Sequence, residues 1–284
     1  MDYQCVFCIL RSFENLLKKH PVRESEKKDI VRDFIQYFST LDINLPTPEI
    51  AREIHKKFKT YLNDNDPYRK EKRVSNQIAL ELYPDLKNKI INSKNQFNTA
   101  LRLAIAGNII DYGPGHDFDI KKTIDYVLNS DIKIDHSKKL FEKIKQSKQI
   151  LYLGDNAGEI VFDKLFIETI SHPNIFYAVR GKPVINDVTI EDAKYVGIDK
   201  ITNVISNGYD APSTILNKVS DEFMSIYNSS DLIISKGQGN LEGLLNNKRK
   251  DLFFLLMIKC DLIGKKLNVK KGDFVVMQNC IRYN

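Results

Sequence analysis

The chain has 284 residues, 42% hydrophobic and 28% charged, the make-up of an ordinary globular protein with one large core or two modest ones. Its 43 Lys and Arg exceed 37 Asp and Glu for a formal net charge of +6, dispersed along the sequence, which suits a small anionic substrate and argues against a nucleic-acid surface. Four cysteines make no disulfide scaffold, the start MDYQCVFCILRSF has no signal-peptide core, and the apolar run from Leu252 to Ile258 is too short to span a bilayer, so a reduced, cytoplasmic protein is expected.

From residue 1 to about 148 the pattern is helical. Phe7, Leu10, Phe13, Leu16 and Leu17 share one face of a first helix that ends near His20-Pro21. A second helix covers Glu26 to Phe38, and a third runs from Glu49, after Pro46 and Pro48, to about Tyr61. Asn63-Asp64-Asn65-Asp66-Pro67 is a turn-rich break. Two further helices are expected over Tyr68 to Leu82 and Asp85 to Ala106. No hairpin signal occurs, and residues 1–148 read as a helical bundle or cap domain. At its end Asn108 and Asp111 are three apart and would share one side of a helix, either meeting solvent or facing a ligand.

Residues 149–284 alternate β-prone runs with helical patterns. Strands are expected at Ile150 to Leu153, Ile175 to Val179, Ile201 to Ile205, Leu232 to Ser235 and Phe274 to Met277. This predicts an α/β domain, a Rossmann-like and mainly parallel sheet with helices on both faces. The run from Leu252 to Ile258, apolar all round, reads as a core helix.

Three strand-end loops hold similar equipment: Asp155 with Asn156, Asn186 with Asp187, and Lys236 beside Gly237 and Gly239. In a parallel sheet such loops emerge on one edge, where ligands bind. Two aspartates and an asparagine carbonyl are hard oxygen donors suited to one divalent cation. Lys236, the glycine-rich turn and Arg180 or Lys182 can offer positive charge and backbone N–H groups to a phosphate. Metal-assisted hydrolysis of a phosphate ester is the chemistry these residues suggest. The run Gly237 to Gly243 is one residue out of step with a dinucleotide fingerprint, and no P-loop sequence occurs.

Five motifs now bear on the family. They are Cys5-Val6-Phe7-Cys8, Ala106 to Asp111, Gly154-Asp155-Asn156-Ala157-Gly158-Glu159, Arg180 to Thr189, and Lys236-Gly237-Gln238-Gly239-Asn240-Leu241-Glu242. In this order they resemble the DUF89, or ARMT1-like, family of metal-dependent damage-control phosphatases, in its prokaryotic branch with an N-terminal Cys-x-x-Cys. The resemblance implies a helical domain against a Rossmann-like domain, and hydrolysis of phosphate monoesters such as sugar phosphates or damaged phosphometabolites with Mg²⁺, Mn²⁺, Co²⁺ or Ni²⁺. It places metal ligands on Asp155, Asn156 and Asp187; the preferred mechanism is attack by water on a metal-polarised phosphoryl group, with Asp155 or Asp187 as nucleophile or base the alternative. It puts the phosphate-contacting lysine on Lys236 and gives Asn108 and Asp111 weight as pocket residues from the helical side, while the strand-end reading itself sets Gly237, Arg180 and Asn186 around the substrate. One departure is Leu241, where an aromatic is common.

Rival readings are a SAM-dependent carboxyl methyltransferase, for which the glycine-rich first loop is missing, and a non-enzymatic nucleotide- or RNA-binding protein, for which clustered charge and aromatics are missing. Cys5 and Cys8 are read as buried free thiols, with a structural metal or a redox pair as alternatives. His116 reads as a solvated loop residue.

Overall fold

The computed structural model of the chain describes residues 2–20, 22–42, 44–107 and 120–279. Its first three helices are α1 (Tyr3–Lys19), α2 (Glu24–Thr40) and α3 (Thr47–Leu62). Asp2 caps α1 by accepting from the Gln4 amide, and Pro48 sits in the first turn of α3, where its missing N–H costs nothing. These helices close on a core of their own. Phe13 stacks on Phe34 at 3.6 Å between ring centroids, and Phe58 meets Phe13 edge-on at 6.1 Å. Phe7, expected on the same face, is 55% exposed; it lies at the margin of the apolar stripe, beyond the reach of α2 and α3.

Helices α4 (Arg69–Ile91) and α5 (Gln96–Ala106) follow. The break expected near Pro84 does not occur there: α4 runs through the proline. Ala79, Leu86 and Ile90 are buried in the main core, and that packing outweighs one missing backbone hydrogen bond. The chain turns instead at Asn95, whose side chain accepts from the Asn98 amide to start α5. Then come α6 (Ile120–Asn129), β1 (Ile132–Asp135), α7 (Ser137–Gln146), β2 (Ile150–Leu153), α8 (Glu159–Ile170), β3 (Ile175–Val179), α9 (Ile190–Val196) and β4 (Asn203–Ser206). The chain continues with α10 (Asp221–Ser229), β5 (Leu232–Lys236), α11 (Gly237–Leu244), β6 (Leu252–Met257), α12 (Asp261–Leu267) and β7 (Phe274–Gln278).

The strands form one sheet in the order β1-β7-β6-β5-β2-β3-β4, parallel throughout except for the antiparallel pair β6 and β7. Two strands depart from the sequence reading. Leu252–Met257 is a strand and not a helix: six apolar residues between two partners, buried on both faces, are too few for a core helix. Ile132–Asp135 is an edge strand within the stretch read as all helical, its alternation half masked by Lys133 and Asp135 at exposed positions.

Tyr152, Tyr177, Ile234 and Leu255 face a layer that includes α4, α5, α8 and α9. Leu151, Leu153, Ile233 and Phe254 face α10, α11 and α12. Helices therefore cover both faces. The hydrophobic clusters also divide the chain elsewhere than at residue 148, because α4 to α7 share the core of the sheet while α1 to α3 do not. Among the described residues no helix is long and apolar enough to cross a membrane. From β2 the chain winds to β3 and β4 on one side, and from β5 to β6 on the other. The crevice between the carboxyl ends of β2 and β5 is thus the switch point where open α/β sheets bind ligands.

Candidate metal and phosphate site

Asp155 and Asn156 follow β2, and the loop after β3 folds back onto them. Asn156 and Asp187 form an isolated antiparallel bridge. The Val188 amide donates to the Asp155 carbonyl, and the Ala157 amide to the Asn186 carbonyl, both at 2.9 Å. These bonds bring Asp155, Asn156 and Asp187 together, and the two aspartates are only 5% and 3% exposed. Gly154 is needed for close approach, since a Cβ there would stand 2.6 Å from the Tyr177 hydroxyl.

The loop after β3 carries backbone strain. Ile185 sits at φ +44°, a left-handed conformation costly for a β-branched residue and one that clusters at functional sites. Its amide donates to His55 Nε2 on α3 at 3.3 Å. Burial, with Lys59 nearby, lowers the His55 pKa to about 3, so the ring stays neutral and keeps this nitrogen as an acceptor. Asn186 lines a cavity of about 270 Å³ between this loop, α1, α3 and α4.

Arg180, at the end of β3, is 2% exposed and serves the carboxylates. Its Nε donates to Asp187 Oδ2 at 2.6 Å and its Nη1 to Asn240 Oδ1 at 3.1 Å. Nη2 lies 3.6 Å from Asp155 Oδ1 and is a buried donor with no hydrogen bond. Asn240 in turn donates to the carbonyls of Gly154 and Lys236, so one amide ties together β2, β5 and the arginine.

Beneath this layer lies a second one. Lys236 is fully buried, and its ammonium donates to the Ala104 carbonyl at 2.8 Å, to Glu159 at 2.6 Å and to Asp163. Tyr152 and Tyr177 donate to the two oxygens of Asp163. Burial works against the charge on Lys236, but Asp163 and Glu159 hold its pKa above the ordinary value. Burial raises Asp163 to about 6 despite the lysine. Burial, then the charges of Glu159 and Asp187, pushes Asp155 up to about 7. Asp187 is raised by burial against the opposing pull of Arg180.

The donor set fits one divalent cation. The Asn156 amide nitrogen is pinned by Asp155 Oδ2 at 2.8 Å and Glu159 Oε2 at 3.4 Å, which leaves its carbonyl oxygen for an ion; among the described residues nothing donates to it. Asp155, Glu159, Asp163 and Asp187 are four buried carboxylates facing two buried cations, Arg180 and Lys236. A doubly charged ion would restore the balance. Among the described residues no group of three or more His, Cys, Asp and Glu is arranged for a metal, so the set depends on the amide.

The structure therefore joins Asp155, Asn156, Asn186, Asp187, Arg180 and Gly237 at one edge. Lys236 departs from expectation: its three protons are all engaged inside the protein, where it pairs with Glu159 and Asp163. The glycine-rich stretch is also no loop, since β5 runs through Lys236 and α11 begins at Gly237. Asn108, Asp111, His116 and Cys280 lie outside the described residues. Cys5, Cys8 and Cys260 are free, with Cys8 exposed. The sequence reading missed the roles of Glu159, Asp163, Asn240 and His55. The signal for the first two was available: two acids one turn apart on α8, set among Ile160, Val161, Phe162, Leu165 and Phe166.

The profile of the damage-control phosphatase ARMT1-like domain matches residues 1–275. The chain is 39% identical to the damage-control phosphatase PH1575 of Pyrococcus horikoshii over 77% of each chain. It is 34% identical to a damage-control phosphatase of Archaeoglobus fulgidus over 80% of each. The crystal structure of the DUF89 family protein from P. horikoshii superposes with a TM-score of 0.91 at 31% identity, covering 98% of this chain and 99% of that one. The chain belongs to the damage-control phosphatase ARMT1-like family.

Proposed function

We propose that this phosphatase hydrolyses phosphate monoesters of small metabolites, sugar phosphates or damaged phosphometabolites, in the cytoplasm, with one divalent cation held by Asp155, Asn156 and Asp187. The observation that carries this reading is the bridge between Asn156 and Asp187, which sets two carboxylates and a free amide carbonyl at the switch point of the sheet. Mg²⁺, Mn²⁺, Co²⁺ and Ni²⁺ all suit such oxygen donors. When bound, the cation would polarise the phosphoryl oxygen and favour attack by water at neutral pH. Arg180 fixes the orientation of Asp187 through Nε. Asp155 or Asp187 supplies the catalytic carboxylate beside the attacking water. Asn186 lines the cavity on the helical side, and Asn108 and Asp111 complete the proposed substrate set. Methyl transfer draws no support from the relatives named above, which are damage-control phosphatases.

The test is release of phosphate from an aryl phosphate and a panel of sugar phosphates, with each of the four metals and with EDTA. Asp155→Ala and Asp187→Ala are measured beside the parent, with circular dichroism to verify folding. Release that requires metal and disappears in both folded variants is expected. Release that persists in EDTA, or in folded Asp187→Ala, would overturn the assignment.

A further inference from the structure

We propose that a cavity between α3 and the loops after β3 and β4 binds a small polyphosphate, which ties the helical body to the segment leading into Asp187. The binding itself is independent of the phosphatase reading; only its consequence for Asp187 as a metal ligand rests on that reading.

The cavity measures about 520 Å³, within the range of small-molecule sites. Arg52, His55, Lys56 and Lys59 of α3 line it, with Lys182 from the loop after β3 and Asp210 from the loop after β4. Asp155, Asn156, Asn186, Asp187 and Gly237 do not, so it is a second place on the molecule. The charge of Arg52 is already met by Asp210 and Glu53. The charges of the three lysines are not. Lys59 donates to the neutral Pro183 carbonyl, Lys56 and Lys182 are exposed, and among the described residues none of the three is in an ion pair. Asp64, the other carboxylate along the wall, accepts from the Asp66 amide. Burial, with the charges of Lys72 and Lys182, holds the Lys59 pKa below its ordinary value against the pull of Asp210 and Asp66. The wall therefore carries more positive charge than its own carboxylates offset, and an anion is the missing partner.

His55 adds an independent observation. It is 4% exposed and lines this cavity. Its Nε2 accepts from the Ile185 amide, so the neutral ring carries its proton on Nδ1. That N–H is buried and has no acceptor among the described residues, a rare and costly state for a donor. A phosphoryl oxygen would supply the acceptor. Lysines meet phosphate oxygens as point charges, and here they stand on two walls, Lys56 and Lys59 on the helix and Lys182 on the loop. Two linked phosphoryl groups span both walls as one does not. The loop already hangs on α3 through the Pro183 carbonyl and the Ile185 amide, and Ile185 holds its φ of +44° between them. A polyphosphate joining Lys182 to the helix reinforces these contacts, and by linkage its binding is coupled to the position of Asp187.

The experiment titrates pyrophosphate calorimetrically into the metal-free full-length protein, which avoids chelation of a metal by the probe. The parent is compared with the double variants Lys56→Ala/Lys182→Ala and Lys56→Arg/Lys182→Arg, and hydrogen exchange is followed over residues 181–187 with and without pyrophosphate. The parent is expected to bind with a Kd below about 1 mM, and the double alanine variant at least about tenfold more weakly, through the loss of two charge-assisted contacts. The double arginine variant should recover most of the affinity. Pyrophosphate should slow exchange of the segment severalfold in the parent and leave it unchanged in the double alanine variant. Both lysines are exposed, so the variants should unfold in urea at the parent's midpoint. No binding to the parent at about 10 mM pyrophosphate, or a Kd for the double alanine variant within about twofold of the parent's, would overturn the proposal. Equal affinity for orthophosphate would overturn the assignment to a polyphosphate, and binding without slowed exchange would overturn the link to the Asp187 segment. Neither readout involves turnover, so a protein that hydrolyses no ester would sink the phosphatase reading and leave this site to be decided by its own titration.

Discussion

Gly237 lies so close to Asp155 that a Cβ on it would stand 1.9 Å from Oδ2 and 2.4 Å from Cγ of the carboxylate. The glycine is required twice over, because its φ of +77° also falls where L side chains are strained. The first turn of α11 thus forms one wall of the candidate metal site. Gly237→Ala must displace either the carboxylate or the helix. It is expected to lower both Mn²⁺ affinity and turnover by about 100-fold, with a stability loss of about 1–3 kcal/mol from strain and overpacking. Calorimetry with Mn²⁺ and urea unfolding measure the two effects. Parental metal affinity in the variant would show that Asp155 does not hold the ion.

The raised pKa of Asp155 gives metal binding a pH dependence. Below about 7 a proton competes for the carboxylate, so apparent affinity should fall by up to about tenfold per pH unit and level off above that value. The effect on stability has the opposite sign. Asp155 titrates higher folded than its ordinary 3.8, so its contribution to the metal-free protein is fully present below that value and is lost as pH rises through about 7. Asp155→Asn removes the buried charge while keeping the shape. At pH values above 7, the metal-free variant should melt a few degrees higher than the metal-free parent, by about 2–4 °C per kcal/mol relieved, while losing Mn²⁺ binding. Equal or lower melting would contradict the charge repulsion inferred among Asp155, Glu159 and Asp187.

Lys236 is a stabilising partner in this structure, and its removal should show as stability. Lys236→Met leaves Glu159 and Asp163 buried without their cation, which costs about 3–5 kcal/mol for a buried pair. The deficit should shrink in acid, because Asp163 already titrates near 6 and protonation removes the stranded charge. Urea unfolding at two pH values, one well above and one below that point, separates this from a packing defect, which would cost the same at both.

Much of the architecture was legible before any coordinates. The runs ILYL and IFYAV end where the strands end, at Leu153 and Val179, since short β-prone stretches stopped by Gly154 and Arg180-Gly181 leave little choice. The pairing of Asn156 with Asp187 also followed from strand-end logic, as two loops on one edge. What failed was decided by tertiary contact. LFFLLM carries no period that separates strand from buried helix, and only its place between β5 and β7 resolves it. The break expected between Leu82 and Asp85 is absent because α4 packs through that stretch in the main core. Lys236 reads from its strand-end place as a phosphate contact; the two acids that claim it lie on α8, far away in sequence.

The separate core of α1 to α3 has a mechanical consequence. That body meets the edge carrying the candidate site through polar contacts: His55 on the Ile185 amide, Lys59 on the Pro183 carbonyl, and Arg52 on Asp210. A small tilt of the three helices would leave their aromatic interior closed while pulling on the chain two residues ahead of Asp187. On the proposed function the gap between Asp187 and Asp155 is where an ion would sit, and its width would then answer to a body whose own core, Phe13 on Phe34, lies apart from the sheet.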